Sequence, residues 1–235
     1  IMLKEFGCNI SIDSDSIKIV PGKLITPNLI EIPGDISSAA FFIVGSIISK
    51  NSQMKIENVG LNPLRTGLIK ILEMMGANIQ ISNERTINGE IIGDIYTESS
   101  LLNGIEIPKE LISSSIDELP LIVLAASQAN GKTSIRNAEE LRVKESDRIL
   151  SMIRMMDKFR ILTDEFSDGM NIYGGLIKGA RVNSYGDHRI AMTAIMASLV
   201  SDGDILVEDC KNIDTSFPTF IDIANNIGMD IKIND

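Results

Sequence analysis

Ile71-Leu72-Glu73-Met74-Met75-Gly76-Ala77-Asn78-Ile79 decides the fold, because the chain uses this stretch more than once. It reads as the last turns of a helix, a glycine cap and the start of a strand. Ile1–Ile10 (IMLKEFGCNI) has the same pattern and Ile221–Ile231 (IDIANNIGMDI) has it again. Met152–Ile161 (MIRMMDKFRI) is a degenerate copy, with Asp157-Lys158 standing in for Gly-Ala. Similarity at a fixed spacing marks a repeated supersecondary unit, here of roughly 60–80 residues.

Upstream of each full copy, a polar residue opens a second, apolar helix. The three begin at Ser37-Ser38-Ala39-Ala40, Asp117-Glu118-Leu119-Pro120 and Asp187-His188-Arg189-Ile190, and run to about Ser49, Gln128 and Val200. Asp or Ser as cap and Pro in the first turn are helix-start signals. Short alternating strands follow at Met54–Glu57, Thr133–Arg136 and Asp204–Glu208, with hairpin strands near Glu90–Thr97 and Met170–Tyr173. The pattern is an α/β (α+β) chain of three βαβαββ units from about Glu31 to Asp235. Residues 1–30 read as the tail of a preceding unit, with a strand at Ser16–Val20, a turn at Pro21-Gly22, and Pro27-Asn28 and Pro33-Gly34 bracketing the boundary. Because the chain opens inside an element, it reads as a piece of a longer protein.

With 44% hydrophobic and 23% charged residues over 235 positions, this is a globular composition large enough for one or two domains. A net charge of −10 argues against a general nucleic-acid binder, so any phosphate site must be a local cationic pocket. Cys8 and Cys210 lack CxxC spacing and read as buried thiols of a reducing compartment. The apolar runs Ala39–Ile48 and Ile190–Val200 are too short to span a bilayer, and no targeting segment is visible, so the cytoplasm is expected. Asn130-Gly131-Lys132-Thr133 ends like a phosphate-binding loop, but Ala126 stands where that loop needs Gly. A tight turn into a strand explains it better than nucleotide binding.

The chemistry gathers at Leu141–Ile149 (LRVKESDRI). Ile149, Met152, Ile153 and Met156 recur at helical spacing, predicting a helix that opens near Glu145 and carries Lys144 and Arg148 on one face. Two cations at a helix start oppose the macrodipole, and an anion held between them would reverse that penalty. The plainer reading is a solvated helix start in which both cations pair with Glu145 and Asp147. The repeat favours the anion site. Arg65, Lys144 with Arg148, and Thr215-Ser216 before Phe217-Pro218 stand at second-helix starts; Asp117 and Asp187-His188-Arg189 stand at first-helix starts. Units packed about a common axis would bring these to one end. Arg65, Lys144, Arg148 and Arg189 with Asp117 and Glu145 suit a phosphorylated acidic small substrate, and a carboxylate among cations can act as a general base. His188, the one histidine, reads as a packed or capping neighbour of Arg189.

RVKESDR at 142–148, GDHRIAM at 186–192, PGDISSAAFF at 33–42, LNPLRTG at 61–67 and the Asp117 region together resemble 5-enolpyruvylshikimate-3-phosphate (EPSP) synthase over nearly the whole chain. The resemblance implies the C-terminal half of such an enzyme: residues 1–30 the tail of the N-terminal domain and the hinge, and 31–235 an EPSP synthase-like domain of three βαβαββ units around a pseudo-threefold axis. It implies transfer of the enolpyruvyl group from phosphoenolpyruvate to the 5-hydroxyl of shikimate 3-phosphate, without metal or organic cofactor. Asp117 would contact the shikimate hydroxyls and act as base; Lys144 would contact the shikimate phosphate and join the proton transfers. Glu145 would exchange the proton at the methylene carbon, and Arg148 and Arg189 would grip phosphoenolpyruvate. His188, Arg65, Glu140 and Thr215 are supporting positions.

Two features depart from many relatives and fit the branch called class II: Thr215-Ser216 replaces a Lys before Phe-Pro, and Glu140 replaces an Asn four residues before Lys144. The family's N-terminal domain supplies further cations, so this chain alone is expected to be inactive and to need that domain as partner, in a monomeric enzyme. The alternatives are a UDP-N-acetylglucosamine enolpyruvyl transferase or a non-catalytic anion-binding module.

Overall fold

The computed structural model describes residues 1–26 and 29–233. A short helix α1 (Met2–Glu5) leads into an antiparallel hairpin of β1 (Asn9–Ile12) and β2 (Ile17–Val20). The hairpin turns at Asp13–Ser16, where the Asp13 amide donates to the Ser16 carbonyl, so Pro21-Gly22 follows the hairpin instead of turning it. The boundary expected at Pro27-Asn28 lies outside the described residues.

The first unit begins at Gly34, which bridges Val59 in parallel. It continues with α2 (Ile36–Ile48), β3 (Gln53–Gly60), α3 (Gly67–Met74), β4 (Asn78–Ile87) and β5 (Glu90–Glu98), in sheet order β3-β5-β4. The second repeats this topology. Asn103 and Glu106 bridge Asn130 and Ser134 in parallel; α4 (Lys109–Ser115), α5 (Leu119–Ser127), β6 (Lys132–Ile135), a 3₁₀ turn (Glu139–Val143), α6 (Arg148–Lys158), β7 (Thr163–Phe166) and β8 (Gly169–Tyr173) follow, in sheet order β6-β8-β7. The third has β9 (Lys178–Asn183) parallel to β10 (Asp202–Glu208) across α7 (His188–Ala197), then α8 (Ile213–Ser216) and α9 (Phe220–Asn226). Among the described residues no hairpin follows α9.

The opening motif of the repeat ends a helix the same way each time. After α3 the Ala77 amide donates to Leu72 O and the Gly76 amide to Glu73 O, a Schellman cap that needs φ > 0 at its turning residue. The same two bonds end α1 at Gly7, α9 at Gly228 and α6 at Arg160, with φ of +78°, +109° and +64°. The equivalent of Gly76 in the degenerate copy is therefore Arg160, three residues later than Asp157. Asp157 and Lys158 both tolerate helix, so α6 runs on until the chain has to turn.

The first helices of the three units, α2, α5 and α7, pack on one another. Every residue of α5 is buried, as a helix apolar on all sides but for its last residue, Ser127, requires. A side chain at Gly45 would place its Cβ 2.4 Å from Met196 Cε, so glycine there lets α2 approach α7. Phe41 and Phe42 of α2 meet Phe217 and Phe220 at centroid distances of 5.6–6.2 Å and clasp units one and three. No helix among the described residues is long and apolar enough to cross a membrane.

Left-handed backbone at a non-glycine residue is strained, and among the described residues the exposed Arg160 side chain makes no hydrogen bond or ion pair that would hold it there. Arg160→Gly should raise stability by about 1 kcal/mol in urea unfolding; a lower midpoint would contradict the cap assignment.

Candidate active site

The N-termini of α2, α5 and α7 meet at one end of the chain, and side chains from all three units interlock there. Glu118, immediately before α5 and 1% exposed, accepts hydrogen bonds from Ser37 Oγ (2.5 Å) and Arg189 Nη1 (3.3 Å). Ser37 Oγ in turn accepts from Arg65 Nη2 at 2.8 Å. One buried carboxylate thus joins α2, the loop before α3, and α7. Burial pushes the Glu118 carboxyl up, against the opposing pull of Ser37 and Arg189.

Asp117 sits beside it with its carboxylate at the centre of the expected cations. Arg148 Nη1 lies 3.4 Å and Lys144 Nζ 3.7 Å from Oδ1, and Arg189 Nη2 lies 3.9 Å from Oδ2. Arg189 Nη1 also donates to the Asp117 carbonyl at 2.9 Å. Burial alone would raise the Asp117 carboxyl, but Arg189, Lys144, Arg148 and Arg65 outweigh it and hold the group below the ordinary carboxylate range. The carboxylate is ionised, partly exposed and accepts one long hydrogen bond, from Arg148 Nη1 at 3.4 Å, which leaves its other lone pairs open to a ligand.

The motif at 142–148 is not laid out as its spacing predicts. The helix begins at Arg148, not near Glu145, because Asp147 caps it by accepting from the Leu150 amide at 3.0 Å. Lys144 lies in extended backbone after the 3₁₀ turn, so it does not share a helix face with Arg148. Arg142 fixes this arrangement: it donates to Asp147 (2.9 Å), Glu165 (2.9 Å), Ser167 O (2.9 Å) and Phe166 O (2.7 Å), tying the motif to the β7–β8 turn. Both cations nevertheless converge on Asp117 from different directions.

Arg148 is 1% exposed. Its Nε donates to Asp187 Oδ2 at 2.8 Å, Nη1 faces Asp117, and Nη2 bonds Glu145. Asp187, fully buried, also caps α7 and accepts from Ser146 Oγ at 3.1 Å. Lys144 Nζ pairs with Glu140 at 2.9 Å. Carboxylates therefore occupy the cations that an anionic ligand would use, and the exposed ones, Glu140 and Glu145, are those free to yield. Burial and the adjacent Arg189 charge push the His188 imidazole down, favouring its neutral form.

Of the expected positions, Asp117, Lys144, Glu145, Arg148, Arg189, Arg65, Glu140 and His188 come together. Thr215 does not. It lies in α8 rather than at the start of α9, and its exposed hydroxyl donates to Asn212 O at 2.8 Å. Ser216 and Phe217 border the small cleft with Ser37, His188 and Arg189 instead. The bonding roles of Ser37, Glu118 and Asp187 were not visible from spacing. A charged residue heading a wholly apolar helix was the available signal for Glu118.

A family model described as EPSP synthase (3-phosphoshikimate 1-carboxyvinyltransferase) matches residues 1–223. The 3-phosphoshikimate 1-carboxyvinyltransferase of Coxiella burnetii (strain RSA 493 / Nine Mile phase I) is 43% identical over 231 residues, covering 98% of this chain and 53% of that protein. That of Ruthia magnifica is 45% identical over 234 residues, covering 99% and 54%. An EPSP synthase structure from Acinetobacter baumannii superposes with a TM-score of 0.96 at 40% identity, over 100% of this chain and 55% of that one. The enolpyruvyl transferase NikO from Streptomyces tendae, 16% identical with a TM-score of 0.77 over 98% of this chain and 52% of that one, shares the fold. The chain spans about half the length of the curated relatives it matches.

Removing Asp187 would leave Arg148 without its fully buried partner. Asp187→Ala should cost about 3–5 kcal/mol, the penalty of breaking a buried ion pair, in chemical denaturation at pH 7. A loss within the range of an exposed pair, below about 1 kcal/mol, would contradict the burial of this pair.

Proposed function

The chain belongs to the EPSP synthase family, and from that premise we propose that it forms one half of the catalytic cleft of a 3-phosphoshikimate 1-carboxyvinyltransferase. Residues 31–235 are its C-terminal domain, with 1–30 leading in from the N-terminal domain. The reaction joins shikimate 3-phosphate to phosphoenolpyruvate and releases inorganic phosphate, in a monomeric enzyme of the cytoplasm.

The observation that carries this reading is the Asp117 carboxylate, held ionised among Arg189, Lys144 and Arg148 at the meeting of the three units. In the addition step Asp117 takes the proton of the 5-hydroxyl as that oxygen bonds to C2 of phosphoenolpyruvate, while a carboxyl at Glu145 protonates the methylene carbon. In the elimination step Glu145 takes a proton back from that carbon, the C2–O bond to phosphate breaks, and Lys144 supplies a proton to the leaving group. Every transfer needs a group whose charge the surroundings control. Arg189 and Arg148 receive the anionic groups of phosphoenolpyruvate, and Lys144 the phosphate of shikimate 3-phosphate. Glu145 and Glu140 must then turn away from the cations they cover, which also aims Glu145 at the substrate. Arg65 supports the cluster through Ser37, and His188 borders the cleft as a neutral neighbour.

The reading favours shikimate 3-phosphate over a UDP-sugar, since relatives at 43–45% identity are named for the shikimate reaction while NikO shares only the fold. Two anionic substrates must be held in register, and positioning of this kind is worth several orders of magnitude in rate. This chain should therefore release negligible phosphate on its own and regain activity when mixed with the N-terminal portion of such an enzyme. Asp117→Asn should lower kcat of that mixture by about 10²–10⁴-fold, the worth of a general base. Turnover by this chain alone, or an Asp117→Asn mixture as active as the parent, would contradict the assignment.

A further inference from the structure

The three units place an aspartate at the same point, ahead of the first helix: Asp35 before α2, Asp117 before α5 and Asp187 before α7. Two of them do what that position favours. Asp35 accepts the Ser38 amide at 2.9 Å; Asp187 accepts the amides of Arg189 (2.9 Å) and Ile190 (3.4 Å). Each is the N-cap of its helix, with extended backbone. Asp117 is different. α5 starts one residue later, has no side-chain cap, and the Asp117 carboxylate points instead at Lys144, Arg148 and Arg189.

The reason is legible at the third residue after each aspartate. That residue donates to the aspartate as Ser38 and, at 3.4 Å beside the 2.9 Å bond from Arg189, as Ile190; in unit two it is Pro120, which has no amide hydrogen, so the Leu119 amide alone is left. Proline is well tolerated in a helix's first turn because the N–H it lacks is unpaired within the helix. Here that N–H is one of the two a capping aspartate takes, and the one Asp35 uses.

We propose that Pro120 is a positioning residue that keeps Asp117 out of the capping role its counterparts perform and so leaves its carboxylate available as a base. Restoring an amide at 120 offers Asp117 a competing donor, drawing the carboxylate toward the helix and away from the cleft. The catalytic consequence rests on the reading of Asp117 as the base; the conformational one does not.

The test is Pro120→Ala, followed first by ¹³C NMR titration of the Asp117 carboxyl in this chain. The groups facing that carboxyl, Arg189, Lys144, Arg148, Arg65 and Glu118, are the same in parent and variant, so a change reports the new donor together with the carboxylate's displacement from them. The amide of residue 120 should show a hydrogen bond to the Asp117 carboxylate, and the titration should change as that bond favours the ionised form while distance from the cations disfavours it. In the mixture with the N-terminal portion, kcat should fall about tenfold, the shift one cap bond can impose, with KM for shikimate 3-phosphate and phosphoenolpyruvate little changed. Pro120→N-methylalanine, placed by peptide ligation, removes the hydrogen without the ring and should restore both the titration and kcat. A residue-120 amide in Pro120→Ala with no hydrogen bond to Asp117 overturns the proposal whatever happens to activity. So does an equal loss of activity in the alanine and N-methylalanine variants, which would assign the effect to ring rigidity. A parent mixture that releases no phosphate would defeat the functional reading and leave the NMR comparison to decide this one.

Discussion

Three helices begin at the same place, and the molecule has to neutralise that place. The N-termini of α2, α5 and α7 each present unpaired amides and a partial positive charge, and cations are added around them from Arg65, Lys144, Arg148 and Arg189. Unopposed, this end would be costly to fold. Carboxylates oppose it: Asp187 buried beneath Arg148, Glu118 buried between Ser37 and Arg189, and the exposed Asp35 at the start of α2. The all-buried α5 packs between its neighbours, and at the N-terminal end the Glu118 carboxylate serves two further units through Ser37 and Arg189. The pseudo-threefold packing is thus the cause of the site as well as its frame.

Charge compensation divides the cluster by burial. Arg148 with Asp187 is out of water, where one partner without the other is strongly unfavourable; this pair is foundation. Lys144 with Glu140, and the outer edge of Arg148 with Glu145, lie nearer solvent, where an ion pair is worth little and can be exchanged for a bound anion. Asp117 lies between these layers, near enough to three cations to stay ionised and bound tightly to none.

Much of this was legible in the sequence. The Gly-capped motif repeated along the chain located the units, because a left-handed turn after a helix selects for glycine. Where the backbone keeps the turn and another residue takes it, as at Arg160, the pattern slips by three residues. The cluster at Asp117, Lys144, Glu145, Arg148 and Arg189 was legible because its cations follow the repeat. The start of α6 was not, since periodicity continues smoothly through Glu145 and only the cap at Asp147, clamped by Arg142 from the distant β7–β8 turn, stops the helix there. Thr215 was misplaced for a related reason: a separate turn, α8, precedes α9, and the Phe217-Pro218 pair follows that turn. Ser37 and Glu118 meet across 81 residues, and no local pattern records such a contact.

The central claim is that this layered cluster receives the anionic substrates from its solvent side while its buried pair stays in place. Side-chain ¹⁵N NMR of this chain with added shikimate 3-phosphate and phosphoenolpyruvate, in the presence of the N-terminal portion, tests it most directly. Lys144 Nζ and the Arg189 guanidinium should shift strongly on saturation, while Arg148 Nε, bonded to Asp187, should shift little. Resonances at Lys144 and Arg189 that do not respond, or an Arg148 Nε that moves as far as they do, would contradict the account.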